Sequence, residues 1–295
     1  MNDKKDNITD TIKQLMEINK IAKISLKDIN LKTKIGEGGQ AKVYKGDYKG
    51  ETVAVKVLEE VDWKCLAHEI VIISNLHHKS IPKFYGIVIE EGIIGLVTKY
   101  ISGKPLDEYK ISNFNESQKI SIAKSLCSSL CYIHENKFIH RDLKPENIMI
   151  DKDLNFFLID FGIAKVITGQ DTAFTRAKGT IHYLAPETLV VAELTDNEEI
   201  VSSISTQVDV WAYGCIIAYL FTELLPWCNK YKDNQSILQK VLMTKTQYPQ
   251  PTDIINKKNY KNGENILKII KGCTVINPKD RFTMNDVAKI VENLI

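Results

Sequence analysis

The chain lacks an apolar run long enough to cross a bilayer. Its most apolar stretch, Val210 to Phe221, ends at Thr222 and Glu223, well short of the roughly 20 residues that a spanning helix needs. That stretch reads as a buried core helix. A surplus of either charge is also missing: 39 Lys and Arg face 37 Asp and Glu, for a formal net charge of +2. This balance excludes a general electrostatic drive toward nucleic acid or an anionic membrane, so partners must be recognised locally. Cys65, Cys127, Cys131, Cys215, Cys228 and Cys273 form no C-x-x-C pair and fall mostly in apolar helical patterns, which suits reduced, buried thiols and a cytoplasmic location. The N-terminus is polar and mixed in charge, unlike a signal peptide, and Asn2 stands where N-myristoylation needs glycine. No internal repeat or long low-complexity tract appears. What the chain does have is 295 residues at 44% hydrophobic, enough for one large domain or two lobes and too apolar for bulk disorder.

The hydrophobic period changes along the chain. Ile8, Ile12, Leu15 and Met16 recur at helical spacing among charges, so residues 8–24 read as a short amphipathic helix, either packed on its own domain or docking a partner. From Leu31 to Val57 the period moves toward two, with Val53, Val55 and Val57 alternating against Ala54 and Lys56. Asp62 to Leu76 reads as one helix with Glu69 at its centre. Ile81 to Val97 returns to strands around a turn at Glu90-Glu91-Gly92. After Gly103 the pattern becomes helical: Ile120, Ala123, Leu126, Leu130 and Ile133 share a face, and Asn115 is placed to cap it. An α+β chain follows, with an N-terminal extension (1–25), a small antiparallel-sheet lobe with one main helix (about 26–101), and a larger, mostly helical lobe (about 102–295).

The densest chemistry lies in His140-Arg141-Asp142-Leu143-Lys144-Pro145-Glu146-Asn147. Phosphoryl transfer asks a protein for an oriented hydroxyl, neutralised phosphate charge and a fixed Mg²⁺. Asp142 can accept a hydroxyl proton, Lys144 can neutralise phosphate and Asn147 can hold metal. This loop resembles the catalytic loop of protein kinases, and other parts of that family's template follow in order. Ile35-Gly36-Glu37-Gly38-Gly39-Gln40-Ala41-Lys42-Val43 resembles the glycine-rich loop, and Val53-Ala54-Val55-Lys56 the third strand with its lysine. Glu69 resembles that lysine's helical partner. Asp160-Phe161-Gly162 and Ala185-Pro186-Glu187 complete the set. The resemblance covers nearly everything after about residue 26. The doubled glycine and the Val43-Tyr44-Lys45-Gly46 ending are closest to the tyrosine-kinase-like group of Ser/Thr kinases.

The resemblance implies a bilobal protein-kinase fold and transfer of the γ-phosphoryl of ATP to Ser or Thr of protein substrates. It assigns Asp142, Lys144, Lys56 and Glu69 to catalysis. Nucleotide binding falls to Ile35, Gly36, Gly38, Gly39, Val43, Ala54, Lys56, Thr98, Lys99, Ile101 and Met149, and Mg²⁺ to Asn147 and Asp160. Thr98 to Gly103 would be the hinge, with purine hydrogen bonds from the backbone at Lys99 and Ile101. Two departures stand out: Ala41 replaces the third glycine, and Lys99 replaces the usual acid. Taken singly, Lys56 reads as a solvated strand lysine, Glu69 as a helix-surface carboxylate and Asp160 as a turn aspartate. His140 reads as a structural hydrogen-bonding residue, His77 and His78 as packing or solvated, and Glu193 to Glu199 as an acidic insertion. Lys144 with Gly179-Thr180 favours Ser/Thr acceptors, and Glu187 is expected to pair with Arg281. Arg141 beside Asp142 suggests regulation by a phosphate on Thr175, then Thr172, with Thr168 also in the segment. The rival reading is a pseudokinase or nucleotide-binding scaffold, against which Lys56, Asp142, Asn147 and Asp160 argue.

Overall fold

The structure is a computed structural model that describes residues 14, 16–38, 41–59, 63–90, 92–161, 165–166, 181–188, 205–227 and 247–295. Two compact units divide the chain, Met1–Gly103 with Phe157–Ala164, and Lys104–Phe156 with Lys165–Ile295. The return of Phe157–Ala164 to the first unit is something the change of period near residue 101 does not signal.

The first unit is a five-stranded antiparallel sheet built from β1 (Ile29–Glu37), β2 (Ala41–Tyr48), β3 (Glu51–Leu58), β4 (Phe84–Glu90) and β5 (Ile93–Lys99), in the order β1-β2-β3-β5-β4. Lys49 and Gly50, at φ 48° and 81°, close the β2–β3 hairpin; two left-handed residues match the right-handed strand twist. Alternation then sorts the side chains. Val53 and Val55 point to one layer, with Ile29, Tyr48, Val88 and Val97. The other face meets α1 (Trp63–Asn75), whose Leu66 and Ile70 pack with Ile87, Ile94 and Leu96.

The segment before β1 departs from the expected helix over 8–24. Met16, Glu17 and Ile18 are helical, but the turn closes at Lys20, which has φ 53°. Ile21 N–H donates to Met16 O at 2.7 Å, and residues 22–24 then run extended along β4, with Ile24 N–H bonded to Ile87 O at 2.8 Å. Exposed backbone groups on an edge strand attract this pairing, and it overrides the helical period. Ile8, Ile12 and Leu15 lie outside the described residues.

The second unit is mostly helical. Its helices include α2 (Glu116–Glu135), α3 (Gln207–Thr222), α4 (Thr252–Lys258), α5 (Gly263–Cys273) and α6 (Met284–Val291), with α3 packed on α5 and α2 on α6. Asn115 caps α2 through a reciprocal box with Gln118, at 2.9 Å in both directions, which satisfies two of the amides a helix start leaves unpaired. Ile120, Ala123, Leu126, Leu130 and Ile133 are all buried. α3 is buried almost all round, with Trp211, Tyr213, Leu220 and Phe221 inaccessible to solvent. Among the described residues, no helix is long and apolar enough to cross a membrane. Cys127, Cys131, Cys215 and Cys273 are free thiols; Cys228 and the side chain of Cys65 lie outside the described residues.

Candidate active site

In the first unit the strand register gathers the expected nucleotide residues on one face. Val43 pairs with Lys56, Ala54 with Thr98 and Lys56 with Leu96, so Val43, Ala54, Lys56 and Thr98 point the same way, toward the α1 side. On α1 the buried stripe is Leu66, Glu69, Ile70 and Ile73; helical spacing thus seats a carboxylate in an apolar row. Such a group is costly unless paired. Its partner is Lys56, whose Nζ lies 2.9 Å from Glu69 Oε1 and 2.8 Å from Asp160 Oδ1. Burial alone would depress the Lys56 ammonium, but the carboxylates of Asp160 and Glu69 outweigh it and hold the pKa above the ordinary lysine range. Burial pushes Glu69 above its own usual value, against the pull of Lys56. Asp160 is held with φ 60°, a left-handed conformation costing a non-glycine residue about 1–3 kcal/mol and typical of functional positions.

Gly36 and Gly38 sit where the chain turns from β1 toward β2, and Gly38 N–H donates to Ala41 O at 2.9 Å. Among the described residues, a Cβ added to either would meet no atom nearer than 3.7 Å. Gly39, Gln40 and Gly162 lie outside the described residues. Ile35 is 44% exposed, and Val43, Ala54 and Thr98 are half-buried. Lys99 N–H is committed to Lys83 O at 2.8 Å. Ile101 is buried.

In the second unit, Asp142 is nearly buried, and among the described residues Lys144 Nζ at 2.8 Å and Asn147 Nδ2 at 3.0 Å both meet its Oδ2. Asn147 Nδ2 also donates to Asp142 O at 2.7 Å, which fixes the orientation of the amide. Met149 is half-buried on β7 (Ile148–Asp151), which follows β6 (Phe138–Ile139). Among the described residues, no three or more His, Cys, Asp or Glu gather into a metal cage.

Sequence reasoning missed what holds the loop. Asp209, in the first turn of α3 and fully buried, accepts from His140 N–H on Oδ2 and from Arg141 N–H on Oδ1, each at 2.8 Å, and lies 2.9 Å from His134 Nε2. Arg141 has φ 68°, so the carboxylate pins a strained backbone immediately before Asp142. Burial would raise the Asp209 pKa, but His134 and the loop amide hold it below the ordinary value. The available signal was one carboxylate opening an otherwise apolar helix. Glu187 meets Arg281 through two hydrogen bonds, at 2.7 and 3.0 Å, as expected. His78 Nδ1 accepts from Ser80 N–H at 3.2 Å. Thr168, Thr172, Thr175, Gly179, Thr180 and Glu193 to Glu199 lie outside the described residues.

A family model described as protein kinase domain matches residues 29–291. The chain is 31% identical over 275 residues to a putative L-type lectin-domain containing receptor kinase of Arabidopsis thaliana, covering 88% of this chain and 38% of that protein. It is 28% identical over 295 residues to a probable serine/threonine-protein kinase of Dictyostelium discoideum, covering 93% and 64%. With the serine/threonine-protein kinase cds1 of Schizosaccharomyces pombe the identity is 29% over 220 residues, covering 74% and 45%. The chain thus spans less than two thirds of the length of each of these relatives. A match across nearly the whole chain, over a lysine clamped by two carboxylates, places it in the protein kinase family.

Proposed function

We propose that this chain transfers the γ-phosphoryl group of ATP to serine or threonine hydroxyls of protein substrates. The observation that carries this reading is the Lys56 ammonium held between Glu69 and Asp160 at 2.9 and 2.8 Å. A half-buried, paired cation on that face of the sheet is suited to the α- and β-phosphates. Asp142 would take the proton of the acceptor hydroxyl as its oxygen bonds to the γ-phosphorus. The bond from that phosphorus to the bridging oxygen then breaks, and ADP leaves. Lys144, tied to Asp142 Oδ2 at 2.8 Å, would steady the base and offset phosphate charge. Asp160 and Asn147 would hold Mg²⁺, which when bound neutralises the charge of the phosphates.

Ile35, Val43, Ala54 and Met149 would line the adenine site, and Lys99 and Ile101 would contact its edge through backbone. The pseudokinase alternative has little to stand on, because no catalytic position is substituted. Thr175, then Thr172, would be the acceptors whose phosphate meets Arg141. Free thiols and the near-neutral charge support a cytoplasmic protein acting on other proteins rather than on nucleic acid. The test is transfer from radiolabelled ATP to a generic protein substrate, followed by phosphoamino-acid analysis. Label on serine or threonine is expected. No transfer in the presence of Mg²⁺, or label chiefly on tyrosine, would overturn the reading.

A further inference from the structure

The family match opens at residue 29, yet the segment before it is built into the first unit. Met16 is 7% exposed and belongs to one cluster with Leu66 and Ile70 of α1 and with Ile87, Ile94 and Leu96 of the sheet; Ile21 packs against the same cluster. Asn75 Nδ2, at the last residue of α1, donates to Asn19 Oδ1 at 3.2 Å. Beyond Ile21 the chain turns along β4: Ile87 N–H donates to Ala22 O at 3.0 Å, and Ile24 N–H to Ile87 O at 2.8 Å. Ile24 then enters the opposite layer of the sheet. Gly86 supplies an independent sign that this seat is designed in. It has φ 151°, and a Cβ there would overlap the carbonyl oxygen of Ala22. A side chain has been given up in β4 so that the segment can approach.

We propose that residues 16–24 are an internal positioning element for α1, so that the Lys56–Glu69 contact depends on a segment outside the family's own domain. Glu69 lies between Leu66 and Ile70 on the buried stripe, and those two residues share their hydrophobic cluster with Met16. Whatever seats them sets where the Glu69 carboxylate stands over Lys56. The proposal rests on the kinase reading for its effect on activity, and on packing alone for its effect on α1.

The test uses the full chain with Met16→Asp, Gly86→Ala and the conservative Met16→Leu. Hydrogen exchange should accelerate across 63–75 in the first two and stay at the wild-type rate in Met16→Leu. kcat should fall about tenfold to a hundredfold in the same two variants, the scale expected when a remote change displaces reacting groups by about an ångström. KM for the protein substrate should stay unchanged, and Met16→Leu should keep wild-type kcat. Should Met16→Asp fail to fold, Gly86→Ala reads the same quantities. Unchanged exchange in α1, or unchanged kcat in a folded variant, overturns the proposal. A wild-type chain that transfers no phosphate removes the functional reading instead, and exchange in α1 then decides this one.

Discussion

Replacing Arg281 with alanine should strip the second unit of its most heavily used side chain. The guanidinium is inaccessible to solvent. Its Nη1 and Nη2 bond Glu187 at 2.7 and 3.0 Å, and it also donates to Val275 O, Gln207 O and Ile276 O at 2.9, 2.6 and 3.2 Å. Its carbon centre lies 5.1 Å from the centroid of the Trp211 ring. Arg281→Ala leaves Glu187 half-buried without its cation and three carbonyls without this donor. Breaking a buried pair from one side costs about 3–5 kcal/mol. For a unit of this size that corresponds to a fall in Tm of about 10 °C. Thermal denaturation followed by circular dichroism measures it. Because much of the cost is the stranded carboxylate, Glu187→Leu combined with Arg281→Met should recover a substantial part of the loss, and the double-mutant cycle isolates the pair. A fall of under about 2 °C for Arg281→Ala would refute the reasoning, since no buried charge would then have been left unpaired.

Lys56→Met and Asp160→Asn should each abolish phosphate transfer in a chain that still folds by circular dichroism, with Lys56→Met lowering Tm because it leaves the buried Glu69 carboxylate without its cation; near-normal turnover in either folded variant would contradict the roles assigned to them. Asp209 contributes through a depressed pKa, so its stabilisation is complete above the ordinary carboxylate pKa of about 4 and is lost as pH falls through the lower folded value. Urea denaturation should accordingly show the stability gap between wild type and Asp209→Asn at neutral pH and a narrowing gap below about pH 4; a gap that widens in acid would reverse the sign. Substituting Asn115 by alanine removes the acceptor of the Gln118 amide at 2.9 Å and should destabilise the chain by about 1 kcal/mol in the same assay.

The fold class and the clustering of Asp142, Lys144 and Asn147 were legible because they are local. An aspartate, a lysine and an asparagine within six residues need no long-range contact to be noticed, and the strand and helix periods around Lys56 and Glu69 set the faces on which they stand. Asp209 was not legible in the same way. Its bonds to His140 and Arg141 span more than sixty residues of sequence, and nothing near it says where a carboxylate in an apolar helix will point. The segment before β1 was misread for a related reason. Its period favours a helix to residue 24, but the open edge of β4 and the bare backbone of Gly86 offer residues 22–24 a better partner than their own turn.

The tie from Asp209 to the loop has a consequence for how damage travels. Loops ordinarily open at little cost, independently of the core beneath them. Here the two amides preceding Asp142 are fastened to a carboxylate on α3, a helix that also carries Trp211, Tyr213 and Phe221 into the interior. Asp142 can leave its place only by stretching those bonds or by moving the helix. Energetically it behaves as a core residue, and a cavity cut beneath α3 would surface as lost catalysis before it was noticed as lost fold.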